Sequence, residues 1–172
     1  PCDICDGKKY RDEILEIQYK NKNISQILSM TVAEAMNFFV AHPNIRKPLS
    51  VLKEVGLDYL TLGQPANSLS GGESQRLKIA KELSQIQQKS TLYILDEPTT
   101  GLDPITAREI IGLMKSIQVK YKTSSLVISH DLNCVKNASN RVVILIDGCC
   151  YANGTYAELL QSQDPLIKQF FE

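Results

Sequence analysis

Two short motifs, about twenty residues apart, constrain this chain more than anything else in it. The first is Leu69-Ser70-Gly71-Gly72-Glu73-Ser74-Gln75-Arg76. The second is Leu92-Tyr93-Ile94-Leu95-Asp96-Glu97-Pro98. Ser70 and Glu73 have capping-box spacing, so a helix is expected to start at Ser70 with Leu77, Ala80 and Leu83 as its apolar face. The two glycines leave backbone N–H groups bare at that start, where the helix dipole adds partial positive charge, and this suits a phosphate. The apolar run Leu92–Leu95 reads as a buried parallel strand with Asp96 and Glu97 at its carboxyl end, where α/β sheets place ligands. Asp96 is suited to hold Mg²⁺ through water and Glu97 to polarise an attacking water. Taken singly, the first motif could be a loop and cap and the second a solvated turn. Their order and spacing favour a shared chemistry.

The rest of the chain supplies an α/β frame. The first thirty residues, with short alternating stretches at Ile14, Leu15, Ile17 and Tyr19, suggest weak strands or a hairpin around Lys20–Asn23. Thr31 and Glu34 form a second capping box, opening a helix through Phe39, and another helix follows Pro48 and stops before Gly56. An irregular loop runs from Leu60 to Leu69. Beyond Thr91, Asp103-Pro104 opens a helix to about Val119, Ser125–Ile128 reads as a second buried strand, and a helix follows from Leu132. Val142–Leu145 is a further strand, and Asp147-Gly148 a tight turn into Cys149–Ala152. Short helices are expected at Thr155 and Pro165. This order predicts an α/β chain, a mostly parallel sheet with a helical appendage and a boundary near residue 90.

Composition removes other classes. The 19 basic and 19 acidic residues balance, which gives no electrostatic argument for nucleic acid or membrane. No apolar run is long enough for a bilayer span, and no secretory signal opens the chain, so a cytoplasmic setting is expected. Five irregularly placed cysteines, Cys2, Cys5, Cys134, Cys149 and Cys150, argue against a disulfide framework. Cys149 and Cys150 are expected to pack, and the Lys8, Lys9, Arg11 cluster to be a solvated surface.

The runs LSGGESQRLKIAKEL, LYILDEPTTGLD and ISHD resemble the signature motif, Walker B segment, D-loop and switch histidine of ABC ATPases, which are P-loop NTPases. The resemblance implies that Ser70, Gly71 and Gly72 contact the γ-phosphate of an ATP held by a facing domain, with Gln75 in support. It makes Asp96 the Mg²⁺ carboxylate, Glu97 the general base, Asp103 a D-loop residue at a head-to-tail dimer interface, and His130 the γ-phosphate sensor. Residues 31–90 would then be the helical signature subdomain and 91–172 the Walker B, D-loop and switch portion of the core.

The front third narrows the family. Cys2-Asp3-Ile4-Cys5-Asp6-Gly7-Lys8-Lys9-Tyr10, Asn23-Ile24-Ser25, Met30-Thr31-Val32 and Gly56 to Ala66 are similar to UvrA, the damage-sensing ATPase of bacterial nucleotide excision repair, over residues 1 to about 102. That likeness implies ATP, Mg²⁺, damaged DNA, the other excision-repair (excinuclease) subunits and a second ABC domain as cofactors and partners. It makes residues 1–30 the remnant of a zinc-module insertion. Cys2 and Cys5 would be half of a four-cysteine set, binding zinc only with an upstream pair. In the C-terminal third, Gly101-Leu102-Asp103-Pro104, Ser129-His130-Asp131-Leu132 and Gly154-Thr155-Tyr156-Ala157-Glu158-Leu159 look more like a transporter ATPase, and the ending Asp164-Pro165-Leu166 to Gln169-Phe170-Phe171 is similar to lipid-trafficking importers of the Mla type. A transporter ATPase subunit is therefore the alternative.

No Gly-x-x-x-x-Gly-Lys-Ser/Thr occurs in the 172 residues, which begin at Pro1. The Walker A portion is missing, and with it the backbone cradle and lysine that hold the β- and γ-phosphates. A processed or partial chain, inactive in isolation, is the expectation.

Overall fold

The computed structural model describes residues 9–84 and 91–171. The chain divides into two compact units, Pro1–Gln87 and Gln88–Glu172.

The first unit is helical. Helix α1 (Asp12–Leu15) and α2 (Ile24–Leu28) stand where strands were expected. The turn between them is nonetheless a hairpin turn. Lys20 and Asn21 both take positive φ, 48° and 62°, and Tyr19 and Lys22 exchange backbone bonds of 2.9 and 3.1 Å. Asn23 then starts α2 with a capping box to Gln26, so the chain turns into a helix before any ladder can extend. Helix α3 (Val32–Phe38) begins at its predicted box, Thr31 with Glu34. Helix α4 (Pro43–Glu54) begins earlier than expected. Pro43 occupies the first turn, where a missing N–H costs nothing, and Pro48 sits inside the helix. A single 3-10 turn (Ala66–Ser68) leads to α5 (Gly71–Ser84).

Met30, Val32, Ala35 and Leu49 form the core of this unit, flanked by Ile27, Met36, Phe38, Phe39, Leu52 and Leu62. The loop after α4 adds the buried Val55, Leu57 and Leu60. Two backbone bonds tie that loop to the start of α3, Val32 N–H to Leu60 O at 2.9 Å and Ala33 N–H to Asp58 O at 3.0 Å. On α5, Ala80 and Leu83 are buried while Leu77 is partly exposed.

The second unit is α/β. Strands β1 (Leu92–Asp96) and β2 (Ser124–Ile128) pair in parallel, with Ile94 opposite Leu126 and Asp96 opposite Ile128. The crossover between them is α6 (Pro104–Tyr121), whose buried stripe is Ala107, Ile110, Ile111, Met114 and Ile117. This is the 3.6-residue period of a helix packing on one side. Helix α7 (Leu132–Ala138) packs against α6. Strands β3 (Val142–Ile146) and β4 (Cys149–Gly154) form an antiparallel hairpin through Asp147 (φ 50°) and Gly148 (φ 74°). Helices α8 (Tyr156–Leu160) and α9 (Pro165–Lys168) follow, and Leu159 and Ile167 pack on Ile144.

Two burial expectations are corrected. Strands β1 and β2 are covered on one side only. Leu92 and Ile94 are 60% and 64% exposed, and Leu126 and Ile128 are 52% and 51% exposed. Side chains alternate across a strand, so these four share one sheet face, and among the described residues no layer covers it. Cys149 and Cys150 are exposed rather than packed. They lie at the turn end of the hairpin, beside a bulge at Ile144/Leu145.

Candidate functional site

Glu97 closes β1 in the left-handed region, at φ 45°. A side chain rarely adopts that conformation, and its cost is of order 1–2 kcal/mol. Strain of this kind is characteristic of working sites, where the surrounding structure over-determines it. Here the backbone N–H of Glu97 makes a last sheet bond to Ile128 O at 2.9 Å, and Thr100 N–H returns to Glu97 O at 3.2 Å. The kink turns the Glu97 carboxylate toward the end of β2.

Four donors meet that carboxylate. Glu97 Oε1 lies 2.7 Å from His130 Nδ1 and accepts the His130 backbone N–H at 3.1 Å. Glu97 Oε2 accepts Thr100 Oγ1–H at 3.0 Å and Ser129 Oγ–H at 3.2 Å. The hydrogen bond from His130 holds the Glu97 carboxyl below its ordinary value, and the same contact raises His130 above that of a free imidazole. His130 is 79% exposed and Glu97 31%, so the imidazole is open to an incoming ligand while the carboxylate is fixed from behind.

The shell beneath is also ordered. Asp131 caps α7 by accepting Asn133 N–H at 2.9 Å, and Thr99 Oγ1–H donates to its other oxygen at 3.2 Å. Asp131 N–H donates to Ser129 Oγ at 3.2 Å. Cys134 is fully buried there, and burial pushes its thiol up. Thr100 and Ser129 escaped the sequence reading. Their one signal is position, since Thr100 follows Glu97 by three residues and Ser129 precedes His130.

Asp96 is exposed at the end of β1, one residue from Glu97. A single accessible carboxylate beside phosphate oxygens is the donor set Mg²⁺ accepts, since that ion keeps several waters. Asp103 caps α6, accepting Ile105 and Thr106 N–H, each at 3.0 Å, and the Thr106 hydroxyl; that hydroxyl bond is the main reason its carboxyl lies below the usual range.

The signature residues lie in the first unit. Ser70 N–H donates to Glu73 Oε2 at 2.7 Å, and Glu73 N–H donates to Ser70 Oγ at 3.2 Å, which completes the capping box. Ser70 and Gly71 are exposed, Gly72 is buried, and Gln75 is half-buried. Tyr59 Oη–H donates to Glu73 Oε1 at 2.7 Å. That bond lowers the Glu73 carboxyl and raises the Tyr59 phenol. Arg76 Nη1–H donates to Val55 O at 3.0 Å.

Cys2 and Cys5 lie outside the described residues. Among the described residues no three His, Cys, Asp or Glu side chains are grouped to hold a metal ion, and no helix is long and apolar enough to cross a membrane.

Comparison with known proteins supplies the family. The model of the ABC transporter family matches residues 5–100. UvrABC system protein A of Aquifex aeolicus is 51% identical over 137 residues, 80% of this chain and 15% of that protein. The Neisseria meningitidis protein of the same name is 52% identical over 141 residues, covering 80% of this chain and 14% of its own length. That of Streptococcus pyogenes is 43% identical over 171 residues, covering 95% of this chain and 18% of its own length. The last match runs well past residue 102, through the region whose texture is closer to a transporter. Among solved structures, UvrA2 from Deinococcus radiodurans is similar with a TM-score of 0.77 and 38% identity, over 99% of this chain and 22% of that one. The chain thus spans less than a fifth of the length of these curated relatives.

Proposed function

Since the chain belongs to the ABC ATPase family and is similar to UvrA, we propose that it is the signature and Walker B segment of a UvrA-like ATPase domain. In this reading ATP hydrolysis drives the recognition of damaged DNA in excision repair. The observation that carries it is the Glu97–His130 contact at 2.7 Å, at the strand end where Asp96 also stands. A carboxylate held by an exposed imidazole beside a second carboxylate is suited to water activation next to a phosphate.

The residues divide the work. Glu97 takes the proton of the attacking water. His130 holds Glu97 and meets the γ-phosphate. Asp96 would hold Mg²⁺, which when bound neutralises charge on the phosphate oxygens. Ser70, Gly71 and Gly72 present the start of α5 to the ATP of a facing ABC domain, supported by Gln75, and Asp103 lies at that head-to-tail interface. The phosphate loop comes from outside these 172 residues, so the isolated chain turns over no ATP. Cys2 and Cys5 supply half of a zinc site when a second cysteine pair is present. Damaged DNA and the other excision-repair subunits are the partners, in the cytoplasm. The breadth of the UvrA matches favours this reading over a transporter subunit.

The test is a graft. This chain replaces the matching segment of UvrA2 from Deinococcus radiodurans, and steady-state ATPase activity is measured. Hydrolysis by the graft that falls roughly 100-fold or more in Glu97→Gln is expected. An active graft indifferent to Glu97→Gln, or robust hydrolysis by the isolated chain, would overturn the reading.

A further inference from the structure

We propose that Tyr59 is a positioning residue for the signature helix, using its phenol to lock the carboxylate that fixes Ser70 at the start of α5. This rests on the reading that Ser70 meets a phosphate.

Tyr59 combines an exposed side chain with a held backbone. It is 57% exposed, yet the loop that carries it is tightly held, with Leu57 fully buried and Leu60 nearly so. The bonds from Val32 and Ala33 to Leu60 and Asp58 fix the backbone on either side of it. An exposed aromatic ring on a rigid loop gains little from burial, so its hydroxyl contact is what it contributes. That hydroxyl reaches fourteen residues along the chain to Glu73 Oε1 at 2.7 Å.

Glu73 has a second commitment, because Oε2 accepts Ser70 N–H at 2.7 Å. With Oε1 held, the carboxylate cannot rotate away, and the capping box keeps one geometry. Ser70 Oγ then accepts Glu73 N–H, which leaves the serine proton to donate to an outside acceptor. One turn on, Arg76 grips Val55 O on the same loop, so two tethers set the approach of α5. Tyr59→Phe removes only the oxygen and leaves the ring.

Two measurements test this. On the 172-residue chain, carbon-13 NMR follows the Glu73 carboxyl through a pH titration. In the ATP-hydrolysing protein that carries this chain, kcat and KM for ATP are measured for Tyr59→Phe and Ser70→Ala. The expected result is that Tyr59→Phe moves the Glu73 titration upward and lowers kcat roughly 3- to 10-fold, with KM changed by less than about twofold. A wild-type kcat in Tyr59→Phe while Ser70→Ala depresses it overturns the positioning role alone. Silence in both variants overturns the phosphate role of the signature and this proposal with it.

Discussion

Glu97 and His130 are joined twice, through the imidazole at 2.7 Å and through the backbone N–H of the same histidine at 3.1 Å. With Thr100 and Ser129 on the other oxygen, the carboxylate has donors for about four lone-pair positions, which is its full capacity. Of these donors the His130 ring is the one that stands 79% exposed.

The pair makes a pH prediction. His130 is raised, so its contribution is present below the ordinary imidazole range and fades as pH rises through its own higher value. Glu97 is lowered, so its contribution is present above the ordinary carboxylate range and fades as pH falls through its own lower value. The charged pair therefore occupies the window between those two values. An NMR titration of His130 should show a midpoint above that of free imidazole, and Glu97→Gln should bring it back. An unchanged midpoint would show that the contact does not persist in solution.

Asp103 gives a stability prediction independent of nucleotide. Asp103→Ala removes the cap of α6 and should lower the urea unfolding midpoint, whereas Asp103→Asn should lower it much less. Equal losses in the two variants would mean that the charge, rather than the cap, holds the helix.

Gly63 tests the packing of the first unit. A Cβ there would stand 3.0 Å from both Leu28 Cβ and Leu28 O, and Gly63 N–H already bonds that carbonyl at 2.8 Å. Gly63→Ala should destabilise the chain by about 1–3 kcal/mol. A thermal unfolding midpoint equal to that of wild type would contradict this contact.

Zinc separates the two settings of Cys2 and Cys5. Metal analysis of the purified 172-residue chain should find far less than one equivalent. A longer protein with a second cysteine pair should retain about one, as four-ligand structural sites do. Stoichiometric zinc on the short chain would require ligands from elsewhere in it.

Much of this was legible in the sequence because it was local. The capping boxes at Thr31 and Ser70, the short helix expected at Thr155 and the Asp103-Pro104 start depend on residues three apart or fewer, and each helix begins where they place it. The errors had local causes as well as distant ones. The Lys20-Asn21 turn was visible, but the capping box that makes its far side helical outweighed the strand pattern. Pro48 pointed to a helix start because proline usually marks one, while Pro43 already did. Tyr59, Thr100 and Ser129 could not be picked out by type, since their roles follow from which carboxylate the fold brings to them.

The open face of β1 and β2 bears on how this segment is handled. Leu92, Ile94, Leu126 and Ile128 present adjoining aliphatic side chains to water. Expressed alone, the segment should be sticky, prone to self-association and to capture by chaperones. Mild detergent, a solubilising fusion or coexpression with the matching upstream half of a relative would be practical remedies, and a Lys substitution at Ile94 or Leu126 a direct check on the cause.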